Sequence, residues 1–181
     1  MNEILMKCWK SNRPVALYRD AEDLNGFDCC KIILVNKDSV VVSFFSVDGK
    51  NNGISAFYTK EIIMIEEDSQ YLQALEKIAS PVKPINLTAT DTSLTPLIEY
   101  AKDSQSITSI EVAASEDAPR IRIVGKVQKI SKETITMEEF DLHGKADGFS
   151  TVYLSDIQSV TIGSSTERRL EQLLKIEKQC L

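Results

Sequence analysis

The chain has little of what catalytic, metal-binding and exported proteins depend on. Only one of its 181 residues is a histidine, so neither a histidine-based triad nor a multi-histidine metal site fits within one chain. No apolar run approaches the roughly 20 residues that cross a bilayer, and the N-terminus lacks the basic start and apolar stretch of a signal peptide. These absences predict a non-enzymatic, cytoplasmic protein without cofactor, metal or membrane partner.

Cysteine spacing and charge narrow the classes further. Cys8, Cys29, Cys30 and Cys180 form no pair of C-x-x-C motifs, so zinc is not indicated. Neighbouring residues on a strand point to opposite faces, so one of Cys29 and Cys30 should be buried. The formal net charge is −6, from 21 basic and 27 acidic residues, and the chain therefore repels phosphate on average. RNA binding is disfavoured but stays open through a local basic patch.

The two halves of the chain repeat each other. Residues 30–78 align without a gap with the residues 95 positions later, 125–173. The matches fall on turns and on core positions alike, among them Lys31 with Lys126, Phe45 with Phe140, Gly49-Lys50 with Gly144-Lys145, Tyr58 with Tyr153 and Ile62 with Ile157. Upstream, Val15 and Leu17 are matched with Ile110 and Val112. Because chance does not keep turns and apolar positions in step, the sequence predicts two copies of one fold.

A proline-containing segment separates the copies. Ser80-Pro81-Val82-Lys83-Pro84 ends a helical pattern and favours an extended chain. Thr95-Pro96 then supplies an N-cap and a first-turn proline for a new helix. We predict a first repeat at 1–80, a linker at 81–91 and a second repeat at 92–181.

The sequence pattern of each copy predicts a helix, five strands and a closing helix. Alternating patterns predict strands near 14–19, up to 35, 40–47, 54–58 and 62–65, with copies near 106–113, up to 130, 135–142, 149–153 and 157–162. Ser164-Ser165-Thr166-Glu167 has the spacing of a capping box at the start of the second closing helix. The glycines that bracket the hairpin after the third strand, Gly49 with Gly53 and Gly144 with Gly148, predict backbone at positive φ.

The third strand changes its alternation in the middle. Val40 and Val42 share one parity while Phe45 and Val47 share the other, and residues 135–142 repeat the change. A straight strand cannot place all four side chains in one core, so we predict a bulge or bend that adds one residue to the register. The predicted fold is mainly β: two tandem, five-stranded, strongly bent barrels, each with an N-terminal and a C-terminal helix.

This pattern resembles the Sm-like fold, an SH3-like small barrel, over most of both copies. It is most similar to a tandem version of small bacterial proteins in which a phenylalanine and a glycine-bracketed turn lead into an isoleucine-rich last strand. The resemblance implies no enzymatic activity. It also implies self-association or a protein partner at edge strands, because Sm-like barrels pair strand four of one barrel with strand five of the next.

The RNA-binding members of that fold carry an Asp and an Asn near the turn before strand three and an Arg-Gly pair in the last hairpin. Here Asp38-Ser39-Val40-Val41 offers the Asp without the Asn, and Tyr58-Thr59-Lys60-Glu61 has no Arg-Gly pair. The leading hypothesis is therefore a non-enzymatic binding or assembly module. The alternative is a single-stranded RNA-binding protein of Sm-like type with altered contact residues.

Candidate contact residues come from the repeated hairpin and the neighbouring strands. They are Arg13, Tyr18, Arg19, Lys50, Asn51, Tyr58, Lys145 and Tyr153. The two lysines could contact a phosphate or an acidic partner, or could simply keep a turn soluble. An enzyme would need a deep pocket joining Glu66, Glu138 or His143.

Overall fold

The computed structural model describes residues 1–20, 23, 26–82, 84–87, 94–113, 115 and 118–179. They fall into two compact units, Met1–Pro96 and Leu97–Leu181. Among the described residues are ten strands, paired antiparallel within each unit, and four α-helices, which confirms a mainly β chain with flanking helices. None of these helices is long and apolar enough to cross a membrane. Cys180 and parts of the predicted linker, residues 83 and 88–91, lie outside the described residues.

Unit 1 follows the predicted order of elements. Its elements are α1 (Asn2–Ser11), β1 (Val15–Tyr18), β2 (Asp28–Val35), β3 (Ser39–Phe45), β4 (Asn51–Tyr58), β5 (Met64–Glu66) and α2 (Gln70–Ile78). The strands lie side by side in the order β5-β1-β2-β3-β4, and one 3-10 turn joins β4 to β5. Helix α2 begins at Ser69, whose hydroxyl accepts the Leu72 N–H at 3.3 Å.

Both faces of the unit 1 strands are covered by apolar side chains. Leu5 of α1 packs in one cluster, with Val40 and Val42 of β3. Leu72 of α2 packs in another, with Phe45 of β3. Alternation along the strands places the two clusters on opposite faces.

The adjacent cysteines Cys29 and Cys30 lie on these two opposite faces. Cys30 belongs to the cluster of α1 and Cys29 to the cluster of α2, and their exposed fractions are 0% and 6%. The sequence correctly predicts opposite faces for them. The expectation that one of the pair is buried falls short, since both are buried where both faces are covered.

The predicted irregularity occurs at the predicted place, but the extra residue belongs to the partner strand. Ser43 pairs with Ile54 and Phe45 pairs with Asn51, so two steps along β3 (43 to 45) meet three along β4 (51 to 54). Gly53 lies in that bulge with φ of 94°, which confirms the prediction of positive φ for this glycine.

The prediction that Val40, Val42, Phe45 and Val47 share one core is wrong. Phe45 packs under α2 on the other face, and Val47 lies in the following turn with 86% of its surface exposed. Leu142, the copy of Val47, is 70% exposed. Val40 and Val42 lie on the face that α1 covers and Phe45 lies on the face that α2 covers, so the change of parity is a change of face.

Unit 2 repeats the same set of elements. They are α3 (Thr95–Asp103), β6 (Ile107–Val112), β7 (Ile121–Ile130), β8 (Thr134–Phe140), β9 (Ala146–Tyr153), β10 (Ile157–Ile162) and α4 (Ser165–Gln179). The strand order is β10-β6-β7-β8-β9, and the register of β8 on β9 shifts between Glu138 and Phe140 as in the first copy. The capping box is confirmed, because the Ser164 N–H donates to Glu167 Oε2 at 2.7 Å and Ser164 Oγ accepts the Thr166 N–H at 3.3 Å.

The match of the first strands is wrong by two residues. Leu17 pairs with Asp28 and Ile65, whereas Ile110 pairs with Ile123 and Val160. These partners are copies of each other (28 + 95 = 123; 65 + 95 = 160), so Leu17 corresponds to Ile110 and not to Val112. The connection between the first two strands is therefore two residues longer in unit 2.

Candidate binding site

Arg13 links the start of β1 to the closing helix of unit 1. Its guanidinium contacts the carboxylate of Asp68, and its Nε donates to Glu76 Oε2 at 3.3 Å. The charge of Asp68 and the hydrogen bond to Glu76 raise the pKa of Arg13. Both partners are half-exposed carboxylates, so they already balance its positive charge.

Arg19 is held between a carboxylate and two aromatic rings. Its Nη2 and Nε donate to Asp28 Oδ2 at 2.7 and 3.0 Å, and Glu61 Oε2 lies 4.0 Å from its Nη1. The guanidinium carbon lies 4.3 Å from the ring centroid of Phe57 and 5.6 Å from that of Phe44. The side chain is mostly buried, so Arg19 contributes to the structure of unit 1.

Tyr18 anchors a chain of aromatic contacts. Its hydroxyl donates to Glu66 Oε2 at 2.8 Å, and its ring centroid lies 5.5 Å from that of Phe27. Phe27 in turn meets Tyr71 edge to face, with ring centroids 5.6 Å apart. Hydrogen bonds from Ser69 and from Tyr18 lower the pKa of Glu66. Tyr18 is buried, and only the outer two rings of this chain reach solvent.

The unit 1 hairpin binds its own polar side chains. Lys50 Nζ lies 2.6 Å from Asp48 Oδ2, and Ser46 Oγ donates to Asp48 Oδ1 at 2.5 Å. The hydrogen bonds from Lys50 and then Ser46 lower the pKa of Asp48 to about 2. The Asn51 amide donates to Ser43 Oγ at 2.6 Å. Lys50 and Asn51 therefore stabilise the turn.

The unit 2 hairpin uses its backbone instead. Asp141 Oδ1 accepts the backbone N–H groups of His143 and Lys145, each at 2.8 Å. The hydrogen bonds from Lys145 and His143 lower the pKa of Asp141. The Lys145 side chain is exposed, and its ammonium group has no ion pair or hydrogen bond within the described ranges.

The two tyrosines end equivalent strands but differ in exposure. Tyr58, at the end of β4, is half-buried, and Lys60 Nζ lies 5.6 Å from its ring centroid. Tyr153, at the end of β9, is 59% exposed. The six candidates of unit 1 contact different partners, so the contacts do not join them into one site. Lys145 and Tyr153 are exposed at the two ends of β9, which directs attention to that strand.

Strand β9 is an edge strand that pairs with β8 alone among the described residues. Leu154 donates its N–H to the Glu133 carbonyl at 2.8 Å. Hydrogen-bonded positions alternate along an antiparallel pair, so the N–H and C=O groups of Phe149, Thr151 and Tyr153 point away from β8. We call these three residues the open edge.

A side-chain contact supports this assignment. Thr151 faces Thr136 of β8, and their hydroxyl oxygens lie 2.9 Å apart. Side chains approach closely at pairs that exchange no backbone hydrogen bonds. The outward direction of the Thr151 amide is therefore consistent with the backbone pattern.

The open edge is exposed and carries no protecting charge. Phe149 is 69% exposed, and residues 148–155 include no charged side chain. Natural edge strands usually prevent association by lysine, proline or a short length. In unit 1 the copies are less exposed: Ala56, at the position of Thr151, is fully buried. Of these three residues the sequence predicts only Tyr153 as a contact residue, although the uncharged run could have indicated Phe149 and Thr151 as well.

The three cysteines of unit 1 are buried thiols. Burial, followed by the negative charge of Glu67, raises the pKa of Cys8 to about 11. Burial also raises the pKa of Cys29 and, more strongly, that of Cys30. Because the thiolate is the nucleophile, these thiols react slowly at neutral pH.

Within the described ranges, no three His, Cys, Asp or Glu side chains are grouped so that they could hold a metal ion. Comparisons with the models of known protein families and with curated proteins find no match for this chain. The proposal that follows therefore depends on the geometry of the described residues.

Proposed function

We propose that the chain is a non-enzymatic assembly module made of two Sm-like barrels, and that a second copy of the chain pairs with the open edge of β9. The strand order of each unit supports the barrel assignment, because the fifth strand lies beside the first and a 3-10 turn follows the fourth. The bulge shared by both units supports it as well, since bulges bend strands.

The observation that carries the proposal is the row of backbone groups along Phe149, Thr151 and Tyr153 that pair with no other described strand. An exposed, uncharged edge strand is a template for another strand. Pairing would satisfy its outward N–H and C=O groups and cover exposed aromatic surface, which a solitary chain leaves in water. The open edge is thus better suited to bind a strand than to remain solvated.

A second copy of the chain supplies a matching strand. Unit 1 has β5 at its edge, next to β1, and the adjoining Ile63 and Met64 are each 47% exposed. In Sm-like barrels strand four of one barrel pairs with strand five of the next, and here β9 is the fourth strand of unit 2 while β5 is the fifth of unit 1. Pairing of two different edges runs head to tail and produces a ring or a filament.

Light scattering after size-exclusion chromatography tests the proposal. Thr151→Pro removes an outward N–H without removing a hydrogen bond to β8, a position where edge strands tolerate proline. The control Thr151→Val also loses the hydroxyl but keeps the N–H. We expect oligomers for the wild type and for Thr151→Val, and monomers for Thr151→Pro. A wild-type monomer at the highest soluble concentration would contradict the proposal.

The RNA-binding alternative has less support. Three of its candidate cations, Arg13, Arg19 and Lys50, contact carboxylates of their own unit. The alternative predicts salt-sensitive binding of short oligonucleotides that weakens in the double variant Lys50→Ala, Lys145→Ala. Absence of binding at low salt would end it.

A further inference from the structure

Unit 2 contains an open cleft between the first turn of α4, strand β7 and the β8–β9 hairpin. Its volume is about 550 Å³, within the range of small-molecule sites. Two arginines and two hydroxyl groups face it, from Arg122, Ser165, Thr166 and Arg169. We call it the α4 cleft.

The same place in unit 1 is filled with aromatic rings. Phe27 and Tyr71, which meet edge to face there, are the copies of Arg122 and Thr166 (27 + 95 = 122; 71 + 95 = 166). Ala74 is likewise the copy of Arg169. At these three positions unit 1 has two aromatic rings and an alanine, whereas unit 2 has two arginines and a threonine.

A buried carboxylate holds one of these arginines. Glu167, the copy of the buried Leu72, is fully buried. Its Oε1 accepts hydrogen bonds from Ser109 Oγ at 2.5 Å and from Arg122 Nη2 at 3.3 Å. Arg122 Nη2 also donates to Ser109 Oγ at 3.1 Å, and its side chain is 47% exposed. These contacts use one guanidinium nitrogen and leave the others for a ligand.

Arg169 is the less constrained cation. Its Nη2 donates to the Leu142 carbonyl at 3.3 Å. No carboxylate of the described part of the chain forms an ion pair with it. Because an ion pair already holds Arg122, Arg169 is the stronger attraction for a negative group in the cleft.

The charge of the lining limits the kind of anion. Glu139, Asp141 and Asp147 also line the cleft, so three carboxylates stand against two guanidinium groups. Glu139 accepts a hydrogen bond from Ser150 Oγ and Asp141 accepts two from backbone N–H groups, and neither carboxylate forms an ion pair with Arg169. A doubly charged phosphate would be repelled more strongly than a single carboxylate, which a guanidinium binds with two parallel hydrogen bonds.

We propose that the α4 cleft binds a small ligand with one carboxylate on an apolar body. The carboxylate lies between Arg122 and Arg169. The apolar part lies against Val124, Phe140, Leu142 and Leu170, which form the rest of the wall. The proposal is independent of the open edge of β9.

Amide NMR of the full chain, titrated with matched pairs of probes, tests this inference. The probes are phenylacetate with phenylacetamide, 4-methylpentanoate with its amide, and inorganic phosphate. We expect the two acids to cause saturable shifts of the backbone N–H signals of Leu142, Asp147 and Thr166. Each acid should bind about tenfold more tightly than the amide probe matched to it. Arg169→Ala should weaken binding about tenfold. The control Arg168→Ala, which removes the same charge one residue away on α4, should leave binding unchanged, as should Thr151→Pro.

Three results would overturn the proposal. Equal shifts from the acids and their amides would remove the carboxylate site. Equal losses in Arg168→Ala and Arg169→Ala would reduce the effect to net charge. Phosphate binding tighter than that of either acid would replace the proposed ligand class.

Discussion

In unit 1 the closing helix buries Leu72 against an apolar cluster, whereas in unit 2 the equivalent helix buries Glu167 against Ser109 and Arg122. Strand order, bulge and turn glycines are the same in both units. Strand pairing depends on backbone hydrogen bonds, so it tolerates different side chains between the closing helix and the sheet. What distinguishes the copies is therefore the chemistry of the helix–sheet contact.

That difference is not explained by stability. Replacing a buried ion pair with apolar side chains of similar size often leaves the free energy of unfolding unchanged or raises it. The apolar contact of unit 1 is therefore at least as stabilising as the ion pair of unit 2. Unit 2 nevertheless places a carboxylate and two arginines beside a cleft. This arrangement fits a binding role for unit 2 and a scaffold role for unit 1.

The largest predicted effect comes from exchanging the two buried residues. Leu72→Glu places a carboxylate near Ala16 and Leu75 without an arginine, and should lower the free energy of unfolding by about 3–5 kcal/mol. Glu167→Leu should cost about 1–2 kcal/mol, because the half-exposed Arg122 can turn to solvent but Ser164 loses its capping hydrogen bond. Urea unfolding followed by circular dichroism checks both. Similar costs for the two changes would mean that the contacts do not differ as described.

Alkaline pH should weaken unit 1 selectively. The pKa of Cys8 is raised to about 11, and those of Cys29 and Cys30 are raised as well, whereas an unfolded thiol titrates near about 8.5. The folded chain therefore keeps thiol protons that the unfolded chain loses. Stability is full below about pH 8.5 and falls as pH rises toward 11, by at most about 1.4 kcal/mol per pH unit for each thiol.

Tryptophan fluorescence can follow this loss in unit 1, because the only tryptophan, Trp9, packs against a unit 1 cluster. The urea midpoint should decrease between pH 8 and pH 10. Cys8→Ala, compared with the wild type at each pH, should flatten that decrease. A midpoint independent of pH in the wild type would show that the thiols are not buried as described.

The smallest effect separates a structural arginine from a binding one. Arg19→Ala removes a cation–π contact with Phe57 and an ion pair with Asp28, and should cost about 1–2 kcal/mol. Arg169→Ala removes an exposed side chain and should change stability by less than about 0.5 kcal/mol. Thermal unfolding of both variants checks the ranking, and an equal loss would place Arg169 in the framework of unit 2.

Sequence periodicity predicted the order of the helices and strands in each unit. The ends of β2 at Val35 and of β7 at Ile130 match the predicted ends, since tight polar turns follow both. The core positions of Val47 and Leu142 were predicted wrongly. Alternation along the third strand of each copy does not show whether a helix covers the second face, and the sequence was interpreted with only one face buried.

The two proposed binding surfaces, the open edge and the α4 cleft, were harder to predict from the sequence. Lys50 and Asn51 were singled out because the hairpin repeats, yet the hydrogen bonds that both hairpins share are backbone ones, from Gly49 to Ser46 and from Gly144 to Asp141. Arg122 and Arg169 lie 47 positions apart (169 − 122), and no local pattern joins them. Their signal lies in the comparison of the copies, where arginine replaces Phe27 and Ala74. The proposed cleft is therefore indicated by the differences between the repeats and not by their identities.

Amide hydrogen exchange along β9, measured at low and high protein concentration, tests the assembly proposal most directly. The account predicts that exchange at Phe149, Thr151 and Tyr153 slows as concentration rises, because a second chain satisfies their outward N–H groups. Exchange at Ser150 and Val152, whose N–H groups face β8, should stay the same. If the three outward amides exchange at one rate at every concentration, the open edge does not pair and the assembly proposal is wrong.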